Sequence, residues 1–158
     1  MIRPIHPDDK GMLSDGLRRL SPQSVQRRFL TPKRTFSRAE LRYLTEVDGR
    51  DHVALVAEYP CYPERRLIAV ARFVRNTGDP DTAEIAVTVG DDWQGRGLGS
   101  LLGTHLAHLA RNRGIWTFTA TMASENTPAH KLMAKLTNEL RQQHVGGGVD
   151  ELTLDLAA

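Results

Sequence analysis

The sequence holds one cysteine, Cys61, in 158 residues. A lone thiol cannot form an internal disulfide, so no covalent framework supports the fold and nothing points to an oxidising compartment. Long apolar runs are missing too. No stretch approaches the roughly 20 apolar residues of a membrane-spanning helix, so no membrane association is expected. The opening residues, Met1-Ile2-Arg3-Pro4-Ile5-His6-Pro7-Asp8-Asp9, lack the basic region and apolar stretch of a secretory signal. A cytoplasmic location is the expectation. Net charge is small, at +2, and no dense basic stripe or nucleic-acid module is evident. Arg18, Arg19, Arg27, Arg28, Arg34, Arg38 and Arg42 crowd the first third. They read as a solvated helical surface, not as a nucleic-acid patch. A basic rim still favours an anionic ligand.

What is present fits one soluble globular domain over residues 1–158, with 40% hydrophobic and 25% charged residues. No repeat or Gly/Ser linker divides it. Residues 2–5 read as a short strand, and Pro7 followed by acids opens a helix with Met12, Leu13, Leu17 and Leu20 on one face. Ser21-Pro22 caps a second helix toward Phe29, and Thr31-Pro32 breaks it. Ser37 and Glu40 have capping-box spacing for a third, reaching about Val47. The period then changes. Val53 to Ala57 is a short apolar run suited to a strand buried on both faces, bounded by Tyr59-Pro60. Leu67 to about Val74 and Ala83 to Val89 follow through short loops, which predicts an antiparallel meander. Leu98, Leu101, Leu102, Leu106 and Leu109 recur at helical spacing, with Gly114 just past the end. Thr117 to Met122 is a strand, Thr127-Pro128 starts a helix through about Leu140, and Leu152 to Leu156 closes as a strand. The fold class is therefore α/β, a mixed, mostly antiparallel sheet flanked by helices.

One segment carries chemistry. Gln94-Gly95-Arg96-Gly97-Leu98-Gly99-Ser100 joins a strand to a long helix. Glycines let the backbone approach an anion, and the free N–H groups and helix dipole attract it. A phosphate P-loop needs Gly-Lys-Ser/Thr after its spacer, and no lysine is present. A dinucleotide fingerprint needs Gly-x-Gly-x-x-Gly with an acid about 20 residues on, whereas here the order is Gly95-x-Gly97-x-Gly99 and Thr119 is not acidic. Glycines used only for a tight turn and close helix packing are the plainer alternative.

Gln-x-x-Gly-x-Gly between an apolar strand and an amphipathic helix resembles the coenzyme A loop of the GNAT superfamily of N-acetyltransferases. Ser124-Glu125-Asn126-Thr127-Pro128-Ala129 with Leu132 is similar to that family's second cofactor segment. The resemblance covers nearly the whole chain. It implies acetyl-CoA as cosubstrate and a GNAT fold. It also implies that Val87 and Val89 offer backbone groups to the pantetheine arm, and that Gln94, Gly95, Arg96, Gly97, Leu98, Gly99 and Ser100 surround the pyrophosphate. Asn126 would lie near the pantetheine, cap the next helix, or do both.

Acetyl transfer to an amine needs a base, because an unperturbed lysine amine has a pKa of about 10.4. Glu84 is the candidate. It alternates with Ile85, Val87 and Val89 and so leaves the sheet on the opposite face. In many relatives a glutamate near this point acts on the amine, often through water. An ordinary exposed carboxylate is the alternative reading. Many relatives place an acidic tyrosine where this chain has Met133, which reads as core filling. Ser124 and His130 lie nearby, but a lone histidine on a helix surface reads as solvated, so no acid is assigned. Leu136-Thr137-Asn138 departs from the usual Leu-Gly-Phe, and Gly146-Gly147-Gly148 reads as a turn beside the acceptor site or a hairpin.

Leu20-Ser21-Pro22, Arg28-Phe29, Leu44-Thr45 with Asp48, and the run from Val53 to Ala57 are most similar to the acetyltransferase domain of bacterial protein lysine acetyltransferases. The acceptor this implies is a protein lysine, and a small-molecule amine fits the chemistry equally. The contrasting expectation is a non-catalytic acyl-CoA-binding sensor or interaction module. Cys61 reads as a loop residue without a role.

Overall fold

The computed structural model describes residues 1–59 and 63–156. Cys61 and the Pro60 boundary lie outside the described residues. Within them, β1 (Ile2–Pro4) leads through a 3-10 turn (Pro7–Asp9) to α1 (Lys10–Arg19), α2 (Pro22–Phe29) and α3 (Arg38–Thr45). The strands β2 (His52–Tyr59), β3 (Arg66–Arg75) and β4 (Thr82–Val89) follow, then α4 (Leu98–Asn112), β5 (Thr117–Ala123), α5 (Thr127–Lys135), β6 (Glu139–Gly146) and β7 (Val149–Asp155). The sheet order is β1-β2-β3-β4-β5-β7-β6. Every neighbouring pair is antiparallel except β4 with β5. The expected meander is β2-β3-β4.

Helix starts fall where the capping chemistry predicts. The Ser24 N–H donates to Ser21 Oγ at 3.1 Å ahead of Pro22. Ser37 and Glu40 exchange the two bonds of a capping box, at 3.1 and 2.9 Å. β2 is buried on both faces because helices cover both. Val53, Leu55 and Ala57 join the larger core with Leu102 and Leu106 of α4. Ala54 and Val56 join a smaller one with Ile5 and Leu13. Leu102 and Leu106 are fully buried, each contributing roughly 2 kcal/mol from apolar area removed from water. α4 and α5 approach closely at Gly103, where a Cβ would come within 3.1 Å of the Leu136 side chain.

The C-terminal region departs from the expectation. The helix expected to run from Thr127-Pro128 to Leu140 ends at Lys135, and Glu139–Gly146 forms a seventh strand. Thr137 ends the helical run: its hydroxyl accepts from the Glu139 N–H at 3.0 Å and donates to the Asp155 carbonyl. Leu140 then pairs with Leu154 across the sheet instead of continuing the helix. Gly146, Gly147 and Gly148, all at positive φ, make the β6–β7 hairpin turn.

The feature that positions the site is a split in the sheet. β4 and β5 pair only through Thr82–Glu84 with Thr117–Thr119. Beyond Glu84 the two strands diverge, and their ends open a slot between the two halves of the sheet.

Candidate active site

A cleft of about 420 Å³ opens where β4 and β5 separate. One wall is the end of β4 and the glycine turn, with Val87, Val89, Gln94, Gly95, Gly97, Leu98, Gly99 and Ser100. The facing wall is α5 and its cap, with Asn126, Lys131, Leu132 and Lys135, and α2 closes one end with Ser24, Arg27 and Arg28. Arg96 does not line the cleft; its guanidinium lies over the Trp93 ring, 5.0 Å from the centroid.

The turn is shaped by backbone conformation more than by room. Gly95 and Gly97 take φ of +75° and +83°, while a Cβ at either would meet open space. Only glycine adopts that conformation freely. The result leaves the N–H groups of residues 95–100 without an acceptor among the described residues, at the positive end of the 15-residue helix α4. Gln94 clamps the turn: its Nε2 donates to the Val89 carbonyl at 3.0 Å and to Ser24 Oγ at 3.2 Å. The Ser21 N–H adds a bond to Asp91 Oδ1 at 3.2 Å. Burial works against the Asp91 carboxylate, but hydrogen bonds from Ser21 and Ser24 outweigh it and hold its pKa below normal.

The cleft is cationic. Arg27, Arg28, Lys131 and Lys135 line it, and no Asp or Glu does. Arg27 Nη2 donates to Glu125 Oε2 at 3.2 Å, tying α2 to the turn before α5. Its Nε is buried with no partner among the described residues. A buried donor of that kind costs free energy until an acceptor arrives. Orphan backbone donors, an orphan guanidinium donor and four cations together fit a polyanionic cofactor such as coenzyme A.

Glu84 stands apart from this lining. It is exposed at the start of β4, opposite Val74 on one side and Thr119 on the other. By strand alternation it shares a face with Ala86 and Thr88, and both of those line a second, smaller cavity. Met133 is buried in the main core, as its chemistry suggested.

His130 is not solvated, contrary to the sequence expectation. Its Nε2 lies 2.9 Å from Asp150 Oδ2 and its Nδ1 2.7 Å from the Asn126 carbonyl. Ser124 Oγ donates to Asp150 Oδ1 at 2.7 Å, and His144 Nδ1 lies 2.9 Å from the same oxygen. Bonds from His144, then Ser124 and His130, push the Asp150 pKa down to about 2. The cluster pins the turn that presents Asn126, whose Oδ1 caps α5 by accepting from the Ala129 N–H at 3.2 Å. Sequence reasoning missed this cluster and the α2 residues of the cleft. The one available signal was the Ser-Pro helix start that fixes α2. Among the described residues no group of His, Cys, Asp and Glu is placed to hold a metal ion. No helix among them is long and apolar enough to cross a membrane.

A mixed sheet split beside a glycine turn, with a cationic slot at the split, defines the class of acyl-coenzyme A-dependent acyltransferase domains. The chain belongs to the Acetyltransferase (GNAT) family, which it matches over residues 23–137. It is 39% identical over 136 residues to Acetyltransferase Pat of Mycolicibacterium smegmatis, aligned over 85% of this chain. The chain spans about 40% of that relative's length. The GNAT domain of S. lividans PAT superposes with a TM-score of 0.85 at 32% identity, over 98% of this chain and 89% of that one. The yncA protein of Salmonella typhimurium, solved with its cofactor acetyl-CoA, shares the fold at a TM-score of 0.74 and 21% identity, over 99% of this chain and 93% of that one. The family's cofactor is acetyl-CoA, and the donor set of the cleft suits it.

Proposed function

We propose that this chain is an acetyl-CoA-dependent N-acetyltransferase that transfers the acetyl group to a primary amine, a protein lysine or a small molecule, by direct attack in a ternary complex. The carrying observation is the cleft, with its unpaired N–H donors at residues 95–100 and its cationic lining free of acids. Bound acetyl-CoA supplies an activated thioester carbonyl. The amine must arrive neutral, and Glu84 takes its proton through water, since the carboxylate is exposed and outside the cleft lining. As the C–N bond forms the C–S bond breaks. The thiolate, with a pKa of about 8.5, takes a proton from water. Met133 leaves no side-chain acid at the place where many relatives have one.

The test is acetyl-CoA turnover against an amine library and purified cell proteins, with Glu84→Gln as control. The expected result is a fall in kcat of about 10²–10⁴-fold with an unchanged acetyl-CoA Kd. Full turnover in Glu84→Gln rules out this base.

A second reading, a non-catalytic acyl-CoA-binding module, draws on the buried Met133 and on the position of Glu84 outside the cleft. Tight acetyl-CoA binding with no transfer to any library member would select it.

A further inference from the structure

Two cavities meet at Arg28, which lines both the cofactor cleft and the smaller cavity of about 70 Å³. The smaller one lies between α1, α2 and the sheet. Leu13, Leu17, Phe29, Phe36 and Val70 contribute to its apolar wall. Its charged groups are Arg28 and Arg72, and no Asp or Glu lines it.

Among the described residues neither guanidinium forms an ion pair. Arg28 makes no hydrogen bond or ion pair among the described residues; its contact is with the Phe29 ring, 4.8 Å from guanidinium carbon to centroid. Arg72 is buried, and its Nη1 donates to the Leu44 carbonyl and to His52 Nε2, both at 3.0 Å. Both acceptors are uncharged. Burial lowers the pKa of each arginine. The neighbouring Arg28 charge lowers Arg72 further, while Tyr43 acts the other way. The Glu84 charge favours the protonated form of Arg28, without a contact between them. Buried cations are normally paired, because an unpaired one loses hydration without compensation. Here Arg72 is buried and Arg28 half-buried, and both line one apolar cavity that adjoins the cofactor cleft.

We propose that Arg28, backed by Arg72, is a carboxylate-binding subsite, and that the acetyl acceptor is a small amino acid whose apolar side chain occupies the smaller cavity. The proposal rests on the transferase reading above. Arginine's planar fork matches a carboxylate with two parallel N–H···O bonds. A carboxylate held by Arg28 leaves the adjacent amine in the cleft that Arg28 also lines. A lysine inside a protein presents no backbone carboxylate, because its carboxyl is spent in the peptide bond, and so it leaves both cations unpaired.

The experiment measures initial rates of the purified chain with acetyl-CoA and four acceptors: leucine, leucinamide, 3-methylbutylamine and a lysine-containing peptide. A further arm pairs succinyl-CoA with 3-methylbutylamine, to test whether the carboxylate comes from the acyl donor. Wild type, Arg28→Gln and Arg28→Lys are compared, with melting curves and acetyl-CoA Kd as controls. The expected result is a kcat/KM for leucine about 10- to 100-fold above the amide and the amine, the size of a charged hydrogen bond. That preference disappears in Arg28→Gln through a raised KM and is partly retained in Arg28→Lys. Equal rates with and without the carboxylate, preference for the peptide, a preference that survives Arg28→Gln, or a gain confined to succinyl-CoA would each overturn the proposal and leave the transferase reading standing. Transfer to no acceptor at all would overturn both. If Arg28→Gln melts early, the acceptor comparison in wild type still decides.

Discussion

Acidification should destabilise this fold well above the carboxylate range, through His52. The ring sits between α3 and β3, 9% exposed, with its Nε2 accepting from Arg72 Nη1 at 3.0 Å. That geometry requires the neutral ring, with its proton on Nδ1. Burial first, then the Arg72 charge, lower the His52 pKa from 6.5 to about 4, and Asp48 opposes them weakly. In the unfolded chain the ring titrates near 6.5, so between pH 6.5 and 4 the unfolded state binds the additional proton. Stability is therefore fully present above about pH 6.5 and is lost as the pH falls toward 4. The drop from 6.5 to about 4, at 1.36 kcal/mol per pH unit, amounts to about 3 kcal/mol. For a chain of this length that corresponds to about 6–12 °C in Tm. The assay is urea denaturation from pH 7.5 to 4, comparing wild type with His52→Gln, whose side-chain oxygen can accept the Arg72 bond without titrating. The variant's stability should be nearly flat over pH 6.5–4.5, where wild type slopes. An unchanged slope in His52→Gln would refute the argument, because the titrating group would then lie elsewhere.

Gly97→Ala forces a side chain into φ of +83°, a cost of about 1–2 kcal/mol. Calorimetry should show acetyl-CoA affinity weakened by roughly tenfold as the 95–100 donors lose alignment. Lys131→Ala with Lys135→Ala removes two of the four cations of the cleft; coenzyme A Kd should rise, and its dependence on salt concentration should shrink. Asp150→Asn removes the charge that His130 and His144 share, so Tm and cofactor affinity should both fall at neutral pH. Because the native Asp150 pKa is lowered to about 2, its contribution in wild type persists above about pH 4 and is lost as the pH drops toward 2, which an acid titration by circular dichroism would follow.

Local chemistry made much of this structure legible. Ser21-Pro22, Ser37 with Glu40, and Thr127-Pro128 each start a helix at the expected place because capping is decided within four residues. The glycine turn was readable for the same reason, since positive φ at Gly95 and Gly97 is a local demand. β6 was not, because all eight of its residues are exposed and no period-2 apolar signal exists to mark it. The α2 residues of the cleft escaped notice because they reach it only through topology: Ser24 meets Gln94 across 70 positions and Arg27 meets Glu125 across 98. His130 looked solvated because its partner, Asp150, lies 20 residues further on, on a different element.

The short pairing of β4 with β5 has a mechanical consequence. Among the described residues, three residue pairs are the sole ladder joining the β1–β4 half of the sheet to the β5–β7 half. Helix α4 packs mainly on the β2–β4 half, and the core cluster it belongs to also takes in Phe118, Leu152 and Leu154 of the other half. Beyond Glu84 no ladder crosses the slot, and the Arg27–Glu125 ion pair ties α2 to the turn before α5 there. The sheet is thus two antiparallel plates that meet at one narrow seam. Amide exchange should be fastest along that seam, while the antiparallel ladders on either side keep their protons.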